Sequence, residues 1–236
     1  MELETLQERI AEVFGRIAAA CGRVGRDAED VTLVAVTKTF GPDAVRMAVD
    51  GGLTVLGENR VQEAVQKIPL CPGNLEWHLI GHLQKNKVRH AVRVFSMIHS
   101  VDSLELLETV DRVSGESGRV MPVLIQVNVS GERSKFGLSP EGVPDVLERS
   151  MTLQNVDVCG LMTIPPIAVD PEASRPFFRK LRGLRDGWRE QFGIPLEGLS
   201  MGMSGDFEVA VEEGATWVRL GAALFGHRSG KQWKRD

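Results

Sequence analysis

The sequence predicts a (β/α)8 TIM barrel with an extra N-terminal helix. Three observations carry that prediction. Short apolar segments alternate with helical ones along the 236 residues, the pattern of strands joined by crossover helices. The count of apolar segments closes at eight. No Gly-x-Gly-x-x-Gly follows the first of them, where a doubly wound nucleotide-binding sheet would carry it.

The elements follow in order. Residues 2–20 read as an amphipathic helix, with Leu3, Leu6, Ile10, Val13 and Phe14 at helical spacing. Strands are expected at 32–37, 53–56, 77–80, 97–101, 123–129, 158–164, 199–203 and 217–221. The run from Thr32 to Thr37 is apolar and β-branched without alternation, as in a strand covered on both faces. Helices are expected at 42–49, 60–68, 84–94, 103–113, 140–149, 172–191 and 206–213. The first of these opens with Pro42 after Gly41, a favoured helix start. No Pro-, Gly- or Ser-rich linker and no internal repeat interrupts the pattern, so a single domain over 1–236 is expected.

Composition narrows the class. The chain is 42% hydrophobic and 25% charged, ordinary for a globular protein, and carries a net charge of −4. That balance gives no argument for nucleic acid. Three scattered cysteines, Cys21, Cys71 and Cys159, form no CxxC pair and no zinc pattern, which fits free thiols in a reducing cytoplasm. The acidic N-terminal helix is not a signal peptide, and no apolar stretch reaches membrane-spanning length. The Asn128-Val129-Ser130 sequon is therefore read as coincidence.

In a barrel, chemistry collects at the C-terminal ends of the strands. Strand one ends at Lys38. An ammonium there is costly to desolvate, so Lys38 either lifts its head to water or is kept for chemistry. The chemistry a partly desolvated lysine does best is Schiff-base formation. Strand seven runs into Ser204-Gly205-Asp206, and strand eight into Gly221-Ala222-Ala223. Small residues there let backbone N–H groups approach an anion, at the loops where barrels frequently hold phosphate. A tight turn with a serine cap is the plainer reading. Arg219 alternates with Val218 and Leu220, so it points into the barrel if they face the helices. Its partner would then be an internal acid such as Glu58, or a ligand. Lysine, phosphate cradle and inward arginine together describe a site for pyridoxal phosphate. An arginine at the pyridine nitrogen disfavours ring protonation and makes the cofactor a weak electron sink.

Seven motifs in order then identify a family. They are Ala35-Val36-Thr37-Lys38, Gly57-Glu58-Asn59-Arg60-Val61-Gln62-Glu63, Trp77-His78-Leu79-Ile80-Gly81-His82-Leu83-Gln84, Lys135-Phe136-Gly137-Leu138, Gly160-Leu161-Met162-Thr163, Leu199-Ser200-Met201-Gly202-Met203-Ser204 and Val218-Arg219-Leu220-Gly221. From about residue 31 to 226 the chain closely resembles the pyridoxal phosphate homeostasis proteins, single-domain barrels related to the N-terminal domain of alanine racemases. The resemblance implies that Lys38 carries pyridoxal 5′-phosphate covalently as a Schiff base. It implies that Ser204 and the backbone of Gly221 and Ala222 hold the phosphate, that Arg219 lies at the pyridine nitrogen, and that Asn59 and Met203 line the pocket. Ala222 departs from the family, which often has a hydroxyl residue there. The lost hydrogen bond is worth roughly 0.5–1.5 kcal/mol.

Alanine racemases pair their lysine with a tyrosine from a partner subunit, and this chain contains no tyrosine. The expected function is therefore an intracellular carrier or buffer of pyridoxal phosphate, with transient transfer to apo-enzymes. The alternative is an amino-acid racemase using Lys38 as its single base. A monomer is expected, because no exposed apolar face is evident. The basic run Lys85, Lys87, Arg89, His90 and Arg93 reads as a solvated helix face. Lys135, in the loop after strand five, could offer a second amine or steer an anionic ligand. His82 could line the site, and His78 and His99 read as hydrogen-bonded structural residues. No metal is expected.

Overall fold

The computed structural model describes residues 3–132 and 134–226. Arg133 and the two ends of the expected 1–236 domain lie outside the described residues. Eight parallel strands close in sequence order, with β1 pairing both β2 and β8. They are β1 Thr32–Val36, β2 Val55–Glu58, β3 Glu76–Leu79, β4 Met97–Val101, β5 Met121–Gln126, β6 Val156–Met162, β7 Gly198–Met203 and β8 Trp217–Leu220. The helices are α1 Leu3–Val24, α2 Pro42–Asp50, α3 Val61–Lys67, α4 Val88–Val94, α5 Leu104–Glu116, α6 Val143–Ser150, α7 Arg175–Phe192, α8 Phe207–Glu212 and α9 Ala222–Phe225.

Period-two burial divides each strand between two cores. Val218 and Leu220 join Leu33, Ala35, Leu56 and Leu79 in the large cluster between sheet and helices. Val34, Val36 and Ile80, with Val55 and Trp217, fill one part of the barrel interior. Met97, Leu124 and Met162, with Cys159 and Trp217, fill another. The interior is thus a packed core, as in other barrels of this kind.

The expected strands and helices form, with displaced ends. Strand two runs over Val55–Glu58 rather than 53–56, because Glu58 is buried by an ion pair that its residue type conceals. Strand five stops at Gln126 instead of 129; beyond it Val127 makes only an isolated bridge to Leu138. The helix expected at 84–94 begins as a 3-10 turn over Lys85–Lys87, and those expected at 140 and 172 do the same. Along α1 the buried stripe is Leu6, Ile10, Val13, Ile17, Ala20 and Cys21. Leu3 and Phe14, expected on that stripe, fall off it and are exposed. Arg16 and Arg23 tie α1 to Glu208 and Glu212 of α8. The four-residue α9, read as a loop of small residues in the sequence, follows β8 directly.

One further expectation, that no exposed apolar face is present, is revised. Apolar side chains are exposed beside the barrel mouth: Phe136, Ile164, Ile167 and Val169, the last two almost fully. The basic run lies on the surface as expected, with Lys85 paired to Glu105 and Arg89 to Glu116. No helix among the described residues is long and apolar enough to cross a membrane. No group of metal-binding side chains occurs among them.

Candidate functional site

Lys38 stands two residues beyond Val36 at the end of β1 and is half-buried. Its flanking residues are pinned from below by a buried ionic cluster. Lys67 of α3 is fully buried, and its Nζ donates to Thr37 O (2.9 Å), Glu58 Oε1 (2.6 Å) and Glu63 Oε1 (3.1 Å). The Thr37 hydroxyl also donates to Glu58 Oε1, at 2.7 Å. Glu63 Oε1 accepts the Thr39 N–H at 2.5 Å. That last bond restrains Thr39 at φ 69°, a conformation costing a β-branched residue about 1–2 kcal/mol. Burial pushes the Glu58 carboxyl up, against the opposing pull of Lys67. Together these contacts fix the backbone on both sides of Lys38. Glu58 is thereby the partner of Lys67, and the sequence's suggestion of a Glu58–Arg219 salt bridge is corrected.

Arg219 lies on β8, next to β1, in register with Val34. It points inward, as the alternation with Val218 and Leu220 required, and is 4% exposed. Its guanidinium donates to Ser200 Oγ (2.6 Å) and to the Thr163 carbonyl (2.9 Å). No carboxylate among the described residues lies within ion-pair distance of it. Burial lowers its pKa to about 10, partly offset by the more distant Asp206. A buried cation held only by neutral acceptors has coordination to spare at the barrel mouth.

β7 bends at Gly202, one residue before its end. Its φ of 92° and the 2.5 Å that would separate an added Cβ from Ala210 Cβ both exclude a side chain. The register shift there brings Ser200 opposite Trp217 and Met203 opposite Arg219, so both face inward despite their odd spacing. Asp206 closes the turn, accepting Met203 N–H at 2.7 Å and the Ser174 hydroxyl at 2.8 Å. Ser204 Oγ accepts the Ala223 N–H at 3.1 Å, joining this loop to the first turn of α9. Gly221 lies against the end of β1, where an added Cβ would sit 3.5 Å from both Val36 Cβ and its carbonyl oxygen. Ala222 is exposed at the head of α9. Lysine, arginine and the Ser204–Gly221 turn thus converge on one side of the mouth.

Asn59 follows β2, and the Gly81 backbone packs so closely on it that a Cβ would meet Asn59 O at 2.2 Å. Asn59 Oδ1 is buried with no hydrogen-bond partner among the described residues. An orphaned acceptor at the mouth calls for a donor from a ligand. These residue types suit pyridoxal phosphate: an amine, a buried cation, a spare acceptor and a small-residue turn stand at or near the C-terminal ends of β1, β8, β2 and β7. Beside the mouth, Asn59, Arg60, Gln62, His82, Gln84 and Lys87 line a cleft of about 430 Å³. His82 hydrogen-bonds Asp102 at 2.9 Å and stacks on Phe136 at 4.0 Å. Lys135 contacts Glu132 and the Ile164 carbonyl.

Several contributors escaped the sequence reading. Lys67 and Glu63 form an i,i+4 pair that resembles any surface pair until α3 is docked. Ser200 and Thr163 lie in recognised motifs and Asp206 just beyond one, but their partners are distant in sequence. His78 and His99 are buried and hydrogen-bonded to each other, as expected.

Comparison with known proteins agrees with this fold. The family model for the alanine racemase N-terminal domain matches residues 15–229. The pyridoxal phosphate homeostasis protein of Aquifex aeolicus is 46% identical over 222 residues, 94% of this chain and 97% of that protein. The solved structure of PipY from Synechococcus elongatus, with pyridoxal phosphate bound, superposes with a TM-score of 0.81 at 38% identity. It covers 94% of this chain and 100% of PipY. The alanine racemase of Clostridium difficile shares the fold at 16% identity and a TM-score of 0.73, with 60% of its length matched. The chain therefore belongs to the pyridoxal phosphate homeostasis proteins, within the alanine racemase N-terminal domain family.

Proposed function

We propose that this protein binds pyridoxal 5′-phosphate as a Schiff base on Lys38 and serves as an intracellular carrier or buffer of that cofactor. The observation that supports this most is the pairing, on adjacent strands, of half-buried Lys38 with buried Arg219, whose hydrogen bonds go only to neutral acceptors. When bound, the cofactor supplies an aldehyde that an amine captures reversibly, with loss of water. The chain's residues do the rest. The Lys67–Glu58–Glu63 cluster holds the Lys38 backbone in place. Ser204 and the backbone at Gly221 and Ala222 receive the phosphate. Arg219 offers a permanent donor to the ring nitrogen, so that nitrogen remains unprotonated. Asn59 Oδ1 and Met203 line the remaining wall. PipY, 38% identical, binds the same cofactor.

A ring held this way is a poor electron sink, which favours retention and release over racemisation. The chain also has no tyrosine to act as a second acid. Transfer to apo-enzymes would occur at the mouth, where Phe136, Ile164, Ile167 and Val169 are exposed. The test is visible absorbance of the purified protein loaded with pyridoxal phosphate. A Schiff-base band that vanishes in Lys38→Ala is expected. An unchanged band in that variant refutes the assignment.

A further inference from the structure

Behind Arg219 a line of buried side chains crosses the barrel interior. Ser200 Oγ, which accepts from Arg219, lies 2.9 Å from His99 Nδ1. His99 Nε2 lies 3.1 Å from His78 Nδ1. His78 Nε2 in turn lies 3.8 Å from the carboxylate of Glu76 at the opposite, N-terminal end of the barrel. His99 is fully buried, His78 nearly so, and Trp217 packs edge-on against His99.

The two ends of this line decide its direction. Arginine can only donate, and Glu76 can only accept when ionised. If the Ser200 hydroxyl donates to His99 Nδ1, then His99 donates through Nε2 to His78 Nδ1, and His78 presents N–H to Glu76. Every group from Arg219 to His78 Nδ1 is then satisfied, and the His78 Nε2–H faces the Glu76 carboxylate at 3.8 Å, beyond hydrogen-bond distance. The reverse tautomers would leave the Ser200 proton without an acceptor and set the His78 lone pair against a carboxylate.

We propose that Ser200, His99 and His78 are positioning residues for Arg219. They form a one-way hydrogen-bond chain that locks both imidazoles as neutral Nε2–H tautomers and fixes the guanidinium toward the barrel mouth. The proposal rests on the reading that Arg219 meets the ring nitrogen of bound pyridoxal phosphate. Neutrality of the pair agrees with burial, which lowers His78 to about 4 and His99 well below its ordinary value. An acid in place of His99 would compensate the arginine from behind and weaken its hold on the ring.

Two measurements test this. The first needs no cofactor: ring 15N NMR of histidine-labelled protein, with His78→Gln and His99→Gln for assignment. Both rings are expected as Nε2–H with Nδ1 unprotonated from pH 7.5 to 5.5. A proton on His99 Nδ1, or a cationic ring at pH 7, overturns the chain. The second is release of pyridoxal phosphate to a trapping apo-enzyme. Ser200→Ala loses a hydrogen bond to a charged donor, so release should quicken about tenfold, with a shifted pH profile of the absorbance band. Ser200→Thr, which keeps the hydroxyl, should restore both. Unchanged release and profile in a folded Ser200→Ala protein refute the positioning role. If the parent protein takes up no cofactor, the carrier reading fails, while the NMR result still decides the chain.

Discussion

Replacing Lys67 by methionine tests the buried cluster beneath Lys38. Lys67 and Glu58 are both completely buried, and Glu58 Oε2 has no partner among the described residues. Methionine fills similar volume, so the loss is chiefly electrostatic. Glu58 would keep the Thr37 hydroxyl at 2.7 Å but lose its cation. Leaving that carboxylate charged and unpaired would cost about 3–5 kcal/mol. Protonation offers an escape. Starting from the ordinary value of 4.5, holding Glu58 neutral costs at most about 3.4 kcal/mol at pH 7 and about 0.7 at pH 5. Burial already raises Glu58 in the parent, which trims both figures, so a loss of about 2–3 kcal/mol at pH 7 is expected. The sign follows from linkage. In the variant the folded-state pKa lies above the unfolded one, so the folded form is favoured at low pH and loses stability as pH rises toward 7. The penalty relative to the parent should therefore shrink to under about 1 kcal/mol at pH 5. Urea denaturation at the two pH values measures it, and Glu58→Gln combined with Lys67→Met should recover most of the loss. A penalty below about 1 kcal/mol at pH 7, or one independent of pH, would refute the reasoning.

Other outcomes follow from the same geometry. His78 is lowered from 6.5 to about 4 by burial, so the unfolded chain binds more protons between those values and stability falls as pH drops. His78 alone should cost about 2 kcal/mol between pH 7 and 5, with His99 adding in the same direction; His78→Gln should flatten that slope in thermal melts. Gly202→Ala puts a Cβ 2.5 Å from Ala210 Cβ at φ 92° and should destabilise by about 2–4 kcal/mol in urea. Ser204→Ala removes the acceptor of the Ala223 N–H, costing about 1 kcal/mol of stability. If Ser204 also meets the phosphate, equilibrium dialysis should show pyridoxal phosphate bound about tenfold more weakly.

Much of the fold was legible because strand and helix periodicities survive in local sequence. Strand four was placed to the residue, over Met97–Val101, where Met97, Ile98 and Val101 carry the apolar signal despite the polar His99 and Ser100 between them. Strand two was misplaced because Gly57 and Glu58 carry no strand signal, and only Lys67, nine residues away, makes burial of that carboxylate tolerable. The inward direction of Arg219 followed from alternation alone, but its partner did not. The choice of Ser200 over Glu58 depends on Lys67 holding Glu58 and on β7 lying beside β8, neither of which a period-two reading contains. Phe14 was assigned to a stripe by spacing, yet the packing of α1 against α8 and α9 selects the stripe through Leu6, Val13 and Ile17. Pairings between distant residues were the recurrent omission, because periodicity reports which face is buried and says nothing of what meets it.

The carrier account stands most directly on the fate of one amine. Borohydride reduction of the protein loaded with pyridoxal phosphate, followed by peptide mapping, should find the pyridoxyl group on Lys38, with no comparable labelling of Lys67 or Lys135. Modification spread over surface lysines, or a reduced adduct that persists at full yield in Lys38→Ala, would contradict it.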